Sequence, residues 1–404
     1  MRILFLCGAY SHNIEKILAE QCKGVGLGVQ ANNFQSAVID GLLKNNADFS
    51  VLSYPFLPIY PLRFQRMYAP ECDYIYKGTK IGISKRYNLL PVIKYFSIMR
   101  SIRQELEEWA NQYKGEDLVI LTYTQEWYFS LPIKDVKKKY PNIRSCAIVT
   151  DLLSISRRYR EGVIKRVQAN IDCYLERKSI SNFDKFVLLA KPMEEELPYT
   201  IGRNIIVEGI CDLPEYKENV LKNKKRVLLY TGGLRSFVGI RDLVDAFMAT
   251  NNENFRLQIC GAGPDAEYIK EKASIDKRIE YLGLLPRDQV IELQNQATAL
   301  INPRKGSHYV TRYSFPSKTM EYMTSGTPMI GYRMEGMPED YYKYIYVIPD
   351  ESLPTLTNII NTVLSKDPME LSRMAEKAYE FIKSYKTSEK QVGRILDFLE
   401  NSKL

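Results

Sequence analysis

The residues whose spacing carries the most chemistry lie between positions 300 and 328. Leu300-Ile301-Asn302-Pro303-Arg304-Lys305-Gly306 is an apolar run that gives way to a polar loop. Tyr313-Ser314-Phe315-Pro316-Ser317-Lys318-Thr319-Met320-Glu321 then opens a helical pattern near Ser317, and Gly326 stops it before the next apolar run. A strand, a loop and a helix start in that order offer backbone N–H groups and the positive end of a helix dipole to one point, which suits a diphosphate. Lys318 sits in the first turn, where the dipole disfavours a cation, and this misplacement argues for a phosphate partner. Glu321 lies one turn further in, on a face that can reach nucleotide hydroxyls. The bland alternative is a plain cap at Ser317 and a solvated Glu321.

Other stretches carry weaker signals. Leu229-Tyr230-Thr231-Gly232-Gly233-Leu234-Arg235 puts glycines directly after a buried strand, where backbone can approach a ligand; Arg235 would neutralise a diphosphate or be a surface arginine. Gly261-Ala262-Gly263-Pro264 and Tyr281-Leu282-Gly283-Leu284-Leu285-Pro286-Arg287 close two further strands, as site loops or packing turns. In the first half, Gly26 and Gly28 belong to a glycine-rich loop that does not follow the first strand directly and is not G-x-G-x-x-G. Asp151 ends the apolar run Cys146–Thr150, the place for a cleft-facing acid or for a capping aspartate. His12 and His308 are the only histidines and no D-x-D occurs, so no metal is expected. Nothing specific supports a hydrolase, an NTPase or nucleic-acid binding.

These residues need a scaffold, and 404 residues suffice for two or three units with their own cores. An apolar fraction of 45% and a charged fraction of 26% exclude a disordered or fibrous chain. Apolar runs alternate with amphipathic helical patterns, the signature of parallel α/β architecture. In the first half, strands are expected at 3–7, 49–53, 118–122, 146–150, 186–190 and 205–207, with helices at 32–45, 93–113 and 163–181. In the second, strands fall at 226–230, 256–260, 278–282, 297–301, 328–331 and 345–348. Helices fall there at 240–250, 264–274, 287–294, 317–325 and 355–364, before a long helical region from Pro368 to Asn401. The polar stretch Pro214–Lys225 marks the boundary. This predicts a first domain at 1–214, a second at 215–382, and a C-terminal helix, 383–404, that returns to the first. Two such halves leave a cleft faced by strand C-termini.

The seven cysteines are odd in number and never in C-x-x-C, which fits reduced thiols in a cytoplasmic protein. No apolar run approaches the ~18 to 20 residues of a bilayer span, and Met1–Gly8 reads as a first strand rather than a signal peptide. The net charge of +8 favours anionic partners, and the 29 tyrosines, many near basic residues, belong either to the core or to a sugar- or membrane-facing surface. Arg157, Arg158, Arg160, Lys165 and Arg166, with Lys85, Arg86, Lys94, Arg100 and Arg103, are the clusters that would meet a lipid diphosphate or an anionic inner leaflet.

From Phe315-Pro316-Ser317-Lys318 through Glu321-Tyr322-Met323 to Ser325-Gly326-Thr327-Pro328, the chain resembles the donor-binding motif of group 1 (family 4) glycosyltransferases, of the surface and capsular polysaccharide branch. The resemblance implies a GT-B fold of two doubly wound, Rossmann-like α/β domains. It also implies retaining, metal-independent transfer of a hexosyl group from a nucleotide diphosphate sugar, expected to be a UDP-sugar, to a glycan or lipid-linked acceptor. A Glu-x7-Glu pair spans this segment in the family. Glu321 matches the second carboxylate, while Tyr313 replaces the first. The family's Arg and Lys after the first strand of the donor domain align with Gly233 and Val238, which leaves Arg235 as their substitute. By the same resemblance, Gly232, Gly261, Leu285, Arg304, Ser317 and Lys318 line the nucleotide-sugar site. Gly26 and Gly28 would lie beside the donor phosphate and acceptor, and Asp151 near the reacting carbon. A nucleotide-sugar epimerase on the same fold and a catalytically silent partner subunit are the two rivals.

Overall fold

The protein was analysed as a computed structural model that describes residues 1–23, 27–152, 163–211, 213–214, 216 and 225–401. The chain forms two compact units. The first comprises Met1–Leu189, Met193–Ile210 and Ser388–Leu404, and the second Ala190–Pro192 with Cys211–Thr387. Apart from the three-residue excursion Ala190–Pro192, the chain crosses between units at 210/211 and 387/388, where the sequence placed the crossings at 214/215 and 382/383.

The first unit is built on an eight-stranded sheet: β1 (Arg2–Cys7), β2 (Asp48–Ser53), β3 (Cys72–Tyr76), β4 (Thr79–Ser84), β5 (Leu118–Thr122), β6 (Arg144–Val149), β7 (Lys185–Leu188) and β8 (Asn204–Ile206). Their order is β3-β4-β2-β1-β5-β6-β7-β8, and all neighbours are parallel except β3 and β4. That edge hairpin has no counterpart in the sequence reading. Its two-residue turn, Lys77-Gly78, holds both residues at positive φ (48° and 82°), the primed geometry that matches strand twist. Lysine at the first of these positions is what hid it. Central strands are buried on both faces, as crossover helices require, so they read as continuous apolar runs rather than alternations.

The C-terminal helix Ser388–Glu400 packs on the helix Val29–Lys44. Contact is close at Gly41, where a Cβ would lie 2.3 Å from Val392 Cγ2 and 2.4 Å from the Ser388 carbonyl oxygen. Asp40 anchors the junction, accepting from Ser388 Oγ at 2.7 Å and pairing with Lys44 at 2.6 Å and Lys77 at 2.5 Å. Burial pushes its carboxyl up, but these partners outweigh that and hold its pKa at about 2.

The second unit carries β9 (Arg226–Thr231), β10 (Phe255–Cys260), β11 (Ile279–Gly283), β12 (Ala299–Asn302), β13 (Met329–Tyr332) and β14 (Tyr346–Ile348). The order is β11-β10-β9-β12-β13-β14, parallel throughout. Leu228 and Tyr230 pack into the core on one face of β9, and Val227 and Leu229 into the core on the other. The chain builds outward from β9 through β10 to β11, then returns to β12 on β9's other side. The strand order therefore reverses between β9 and β12, and in open α/β sheets that is where ligands bind, beyond the strand C-termini. The helical region expected at 368–401 comprises two helices, Pro368–Tyr385 and Ser388–Glu400, parted where Thr387 bridges Cys211 and Cys211 N donates to Lys386 O at 2.9 Å.

Candidate functional site

In the second unit, the loops after four strands and one short helix meet at the reversal point. The β9 and β10 loops are laid one upon the other: Gly232 N donates to Cys260 O at 2.8 Å and Leu234 N to Ala262 O at 3.0 Å. A Cβ on Gly261 would lie 1.8 Å from the Gly232 carbonyl oxygen, so this contact admits only glycine. The β11 loop joins through Gly261 N, which donates to Gly283 O at 2.7 Å.

Lys318 reaches across this stack. The point where Gly232 would carry a Cβ is 2.8 Å from Lys318 Cε and 2.7 Å from Tyr230 Oη, so the lysine stem, the tyrosine hydroxyl and the glycine loop share one spot. Tyr230 Oη donates to Gly233 O at 2.9 Å. Cys260 lies close by: burial pushes its thiol up, while a hydrogen bond with the Leu285 backbone and the charge of Lys318 oppose this. Glu321 is held one turn along the helix. Its Oε1 accepts from Gln294 Nε2 at 2.6 Å and lies 3.9 Å from Lys318 Nζ. Gln294, itself buried, also donates to Thr231 Oγ1 at 3.1 Å, and Tyr322 Oη accepts from Thr231 N at 3.0 Å. The helix is thereby fastened to the end of β9 by groups in its own second turn.

Arg304 follows β12, half-buried, with Nε donating to Thr311 Oγ1 at 2.8 Å and Nη2 to Ser314 Oγ at 3.1 Å. Burial lowers its pKa and the facing Tyr230 opposes that. Gly232, Gly261, Leu285, Arg304, Lys318 and Glu321 thus come to the C-terminal ends of the strands. Gly233 and Arg235 are exposed on the β9 loop, and the Arg235 guanidinium has no ionic partner among the described residues. Tyr313 is buried, its ring edge-on to Tyr309 with centroids 5.3 Å apart.

The helix begins at Ser317 as expected, and Ser317 is its exposed first residue; the bland reading of Ser317 as the cap fails, because the cap position belongs to Pro316. Proline takes it because its ring already holds φ at −76° and no N–H is needed there. The sequence also ran the helix to 325, but it ends at Met323. Tyr230, Gln294 and Tyr322 were missed. A tyrosine or glutamine inside an apolar run looks like core, and only the fold shows which of them face the strand ends.

In the first unit, a pocket of ≈ 340 Å³ opens at the ends of β5 and β6. Phe56, Tyr123 and Tyr128 form its aromatic walls, with Lys94, Glu126 and Asp151 among its polar groups. Asp151 is exposed by area, yet protein crowds the carboxylate on most sides, and this desolvation pushes its pKa up. The main chain at Asp151 is fixed by Gln125, whose Nε2 donates to the Asp151 carbonyl at 2.6 Å. Lys94 Nζ donates to Leu57 O at 2.7 Å, and burial pulls its pKa down to about 8 against the opposing charge of Glu126. Gly28 is exposed ahead of the helix Val29–Lys44. Gly26 lies outside the described residues, as do Arg157, Arg158 and Arg160. Among the described residues, no group of three or more His, Cys, Asp or Glu is placed to hold a metal ion.

The family model described as Glycosyl transferases group 1 matches residues 214–381, the whole of this second-unit site. Residues 214–381 are a group 1 glycosyltransferase domain. The transferase assignment is this domain's. The D-inositol 3-phosphate glycosyltransferase of Corynebacterium glutamicum (strain R) is 29% identical to it over 124 residues, and the match spans 28% of this chain and 28% of that relative. Over nearly the full length, the chain superposes on the lipopolysaccharide outer core galactosyltransferase WaaB in its apo form (TM-score 0.63, 16% identity, 99% of each chain). It superposes equally on Anabaena Alr3699/HepE in complex with UDP (TM-score 0.63, 13% identity, 100% of each chain). Sucrose-phosphate synthase from Thermosynechococcus elongatus matches alike (TM-score 0.63, 14% identity, 99% of this chain and 98% of that one). These likenesses establish the fold of the glycosyltransferase as GT-B, two α/β units with parallel sheets.

Proposed function

We propose that this glycosyltransferase moves a sugar, with retention, from a UDP-sugar to a glycan or lipid-linked oligosaccharide in surface polysaccharide synthesis, at the cytoplasmic side of the membrane. The observation that carries the donor assignment is the meeting of Lys318, the Gly232 loop and Glu321 at the strand-order reversal of the group 1 domain. Solved structures of similar fold hold UDP and, in one case, UDP-glucose.

In this reading the anomeric C–O bond of the donor breaks and its electron pair goes to the diphosphate. The protein's task is to stabilise that charge with groups already in place. Lys318 supplies the cation and the tiled loops supply backbone N–H groups, while Glu321, steadied by Gln294, takes the ribose hydroxyls. The acceptor occupies the first unit's pocket, whose aromatic walls suit the faces of a sugar ring. There Asp151 orients the attacking hydroxyl or stabilises positive charge at the reacting carbon. Calorimetry with UDP tests the donor half: Lys318→Ala should weaken binding by about 1 to 3 kcal/mol, the scale of a charge-assisted hydrogen bond, and Glu321→Ala should weaken it without any sugar present. Unchanged affinity in both variants would sink the assignment. The two rivals have their own readouts: an epimerised donor in the absence of acceptor, or no binding of any nucleotide sugar.

Contact with an anionic leaflet is part of the proposal. Among the described residues, no helix is long and apolar enough to cross a membrane. Leu62, Val92, Ile93 and Phe96 nevertheless stand exposed, between 51% and 69%, on a surface that also exposes Arg63, Arg66, Arg86 and Arg100. Main-chain bonds from Tyr60 N to Leu89 O and from Leu89 N to Met67 O hold the two segments of that surface together. Aliphatic side chains fringed by arginines suit insertion among anionic headgroups.

A further inference from the structure

We propose that Arg304 is the second cation of the diphosphate site, acting with Lys318. The inference rests on the donor reading of the same site and names the residue that completes its charge. Other half-buried arginines in the protein meet carboxylates, as Arg278 meets Asp276 at 2.7 Å and Arg144 meets Asp117 at 2.7 Å, or backbone carbonyls, as Arg203 meets Tyr199 O at 2.6 Å. The neighbouring Lys305 pairs with Asp242 at 2.5 Å. Arg304 has no carboxylate partner among the described residues. It is gripped by two hydroxyls, Thr311 Oγ1 and Ser314 Oγ, which fix the direction of the guanidinium without cancelling its charge.

Taking a guanidinium out of water without an anion is costly, and burial already lowers its pKa. Holding it there with neutral hydroxyls keeps the charge available to an incoming anion. Its position specifies the anion. Arg304 follows β12, the strand across the order reversal from β9, and its charge reaches Tyr230 at the end of β9. The Tyr230 hydroxyl and Lys318 Cε flank the same point beside Gly232. A cation on the loop after β12 and another in the first turn of the helix Ser317–Met323 suit two adjacent phosphates, and the planar fork of arginine suits a phosphate's paired oxygens. Arg235, the sequence-based candidate for this role, is exposed, and none of the described residues fixes its guanidinium.

The test compares UDP with uridine on the full chain by calorimetry. Arg304→Gln should weaken UDP by about 10- to 100-fold and leave uridine within about twofold, while Arg235→Gln leaves both unchanged. A purely structural role for Arg304 would weaken both ligands together. Wild-type protein supplies a measurement independent of folding in the variant: arginine-selective labelling by phenylglyoxal, read by mass spectrometry at Arg304, should be suppressed by UDP and by inorganic pyrophosphate but not by uridine. Equal UDP affinity in Arg304→Gln, or equal labelling of Arg304 with and without saturating UDP, overturns the inference. Wild-type protein that binds no UDP at all overturns the donor reading instead.

Discussion

Gly261→Ala tests the contact on which the donor site is built. The new methyl would sit 1.8 Å from the Gly232 carbonyl oxygen and 2.9 Å from its carbonyl carbon, and a backbone group cannot rotate away as a side-chain end can. One of the two loops must move. Over-packing of this kind costs about 1 to 3 kcal/mol, and the residue's φ of +152° adds about 1 to 2 kcal/mol for any side chain. Together, about 2 to 5 kcal/mol should lower the melting temperature of the second unit by about 5 to 15 °C. The displaced Gly232 loop should also weaken UDP binding measurably. Gly233→Ala is the control, since nothing lies within 4 Å of its Cβ position, and it should shift stability by less than about 0.5 kcal/mol. Scanning calorimetry followed by UDP titration of both variants decides the matter. A Gly261→Ala protein with wild-type melting and wild-type UDP affinity would refute the tiling of the two loops.

Three further outcomes are expected. Asp151→Asn should reduce transfer far more than UDP binding, because a contact made at the reacting centre lowers the barrier without holding the nucleotide; normal turnover in that variant would remove its catalytic role. Transfer should persist in excess chelator, and a strict, titratable divalent requirement would reject metal independence. Anionic vesicles should co-sediment the protein at low salt and release it as salt rises, with Phe96→Ser and Ile93→Ser weakening the attachment; absence of binding at low salt would remove the membrane contact.

The sequence shows the sheet strands of the second unit to within about two residues because burial on both faces leaves unbroken apolar runs, as in Arg226–Thr231 and Phe255–Cys260. It shows Lys318 and Glu321 because local order alone, strand then loop then helix, points both at the strand ends. It does not show the β3–β4 hairpin, whose turn lacks the usual asparagine or aspartate, nor the helix Trp127–Lys139, whose Pro132 reads as a break. Nor does it reveal how Arg304 is held. That depends on Thr311 and Ser314 folding back onto the guanidinium and on β12 lying against β9, and both are facts of tertiary structure. The Lys94–Asp151 pocket is hidden for the same reason, since its walls come from five separate stretches of chain.

Amide hydrogen exchange of the full chain with and without UDP tests the central claim most directly, because it asks where the nucleotide lies without altering any residue. The account predicts slower exchange in the loops at 231–235, 260–263, 283–286 and 302–306 and in the helix at 317–323, with unit 1 little changed. Protection confined to the first unit, or no protection at saturating UDP, would contradict it.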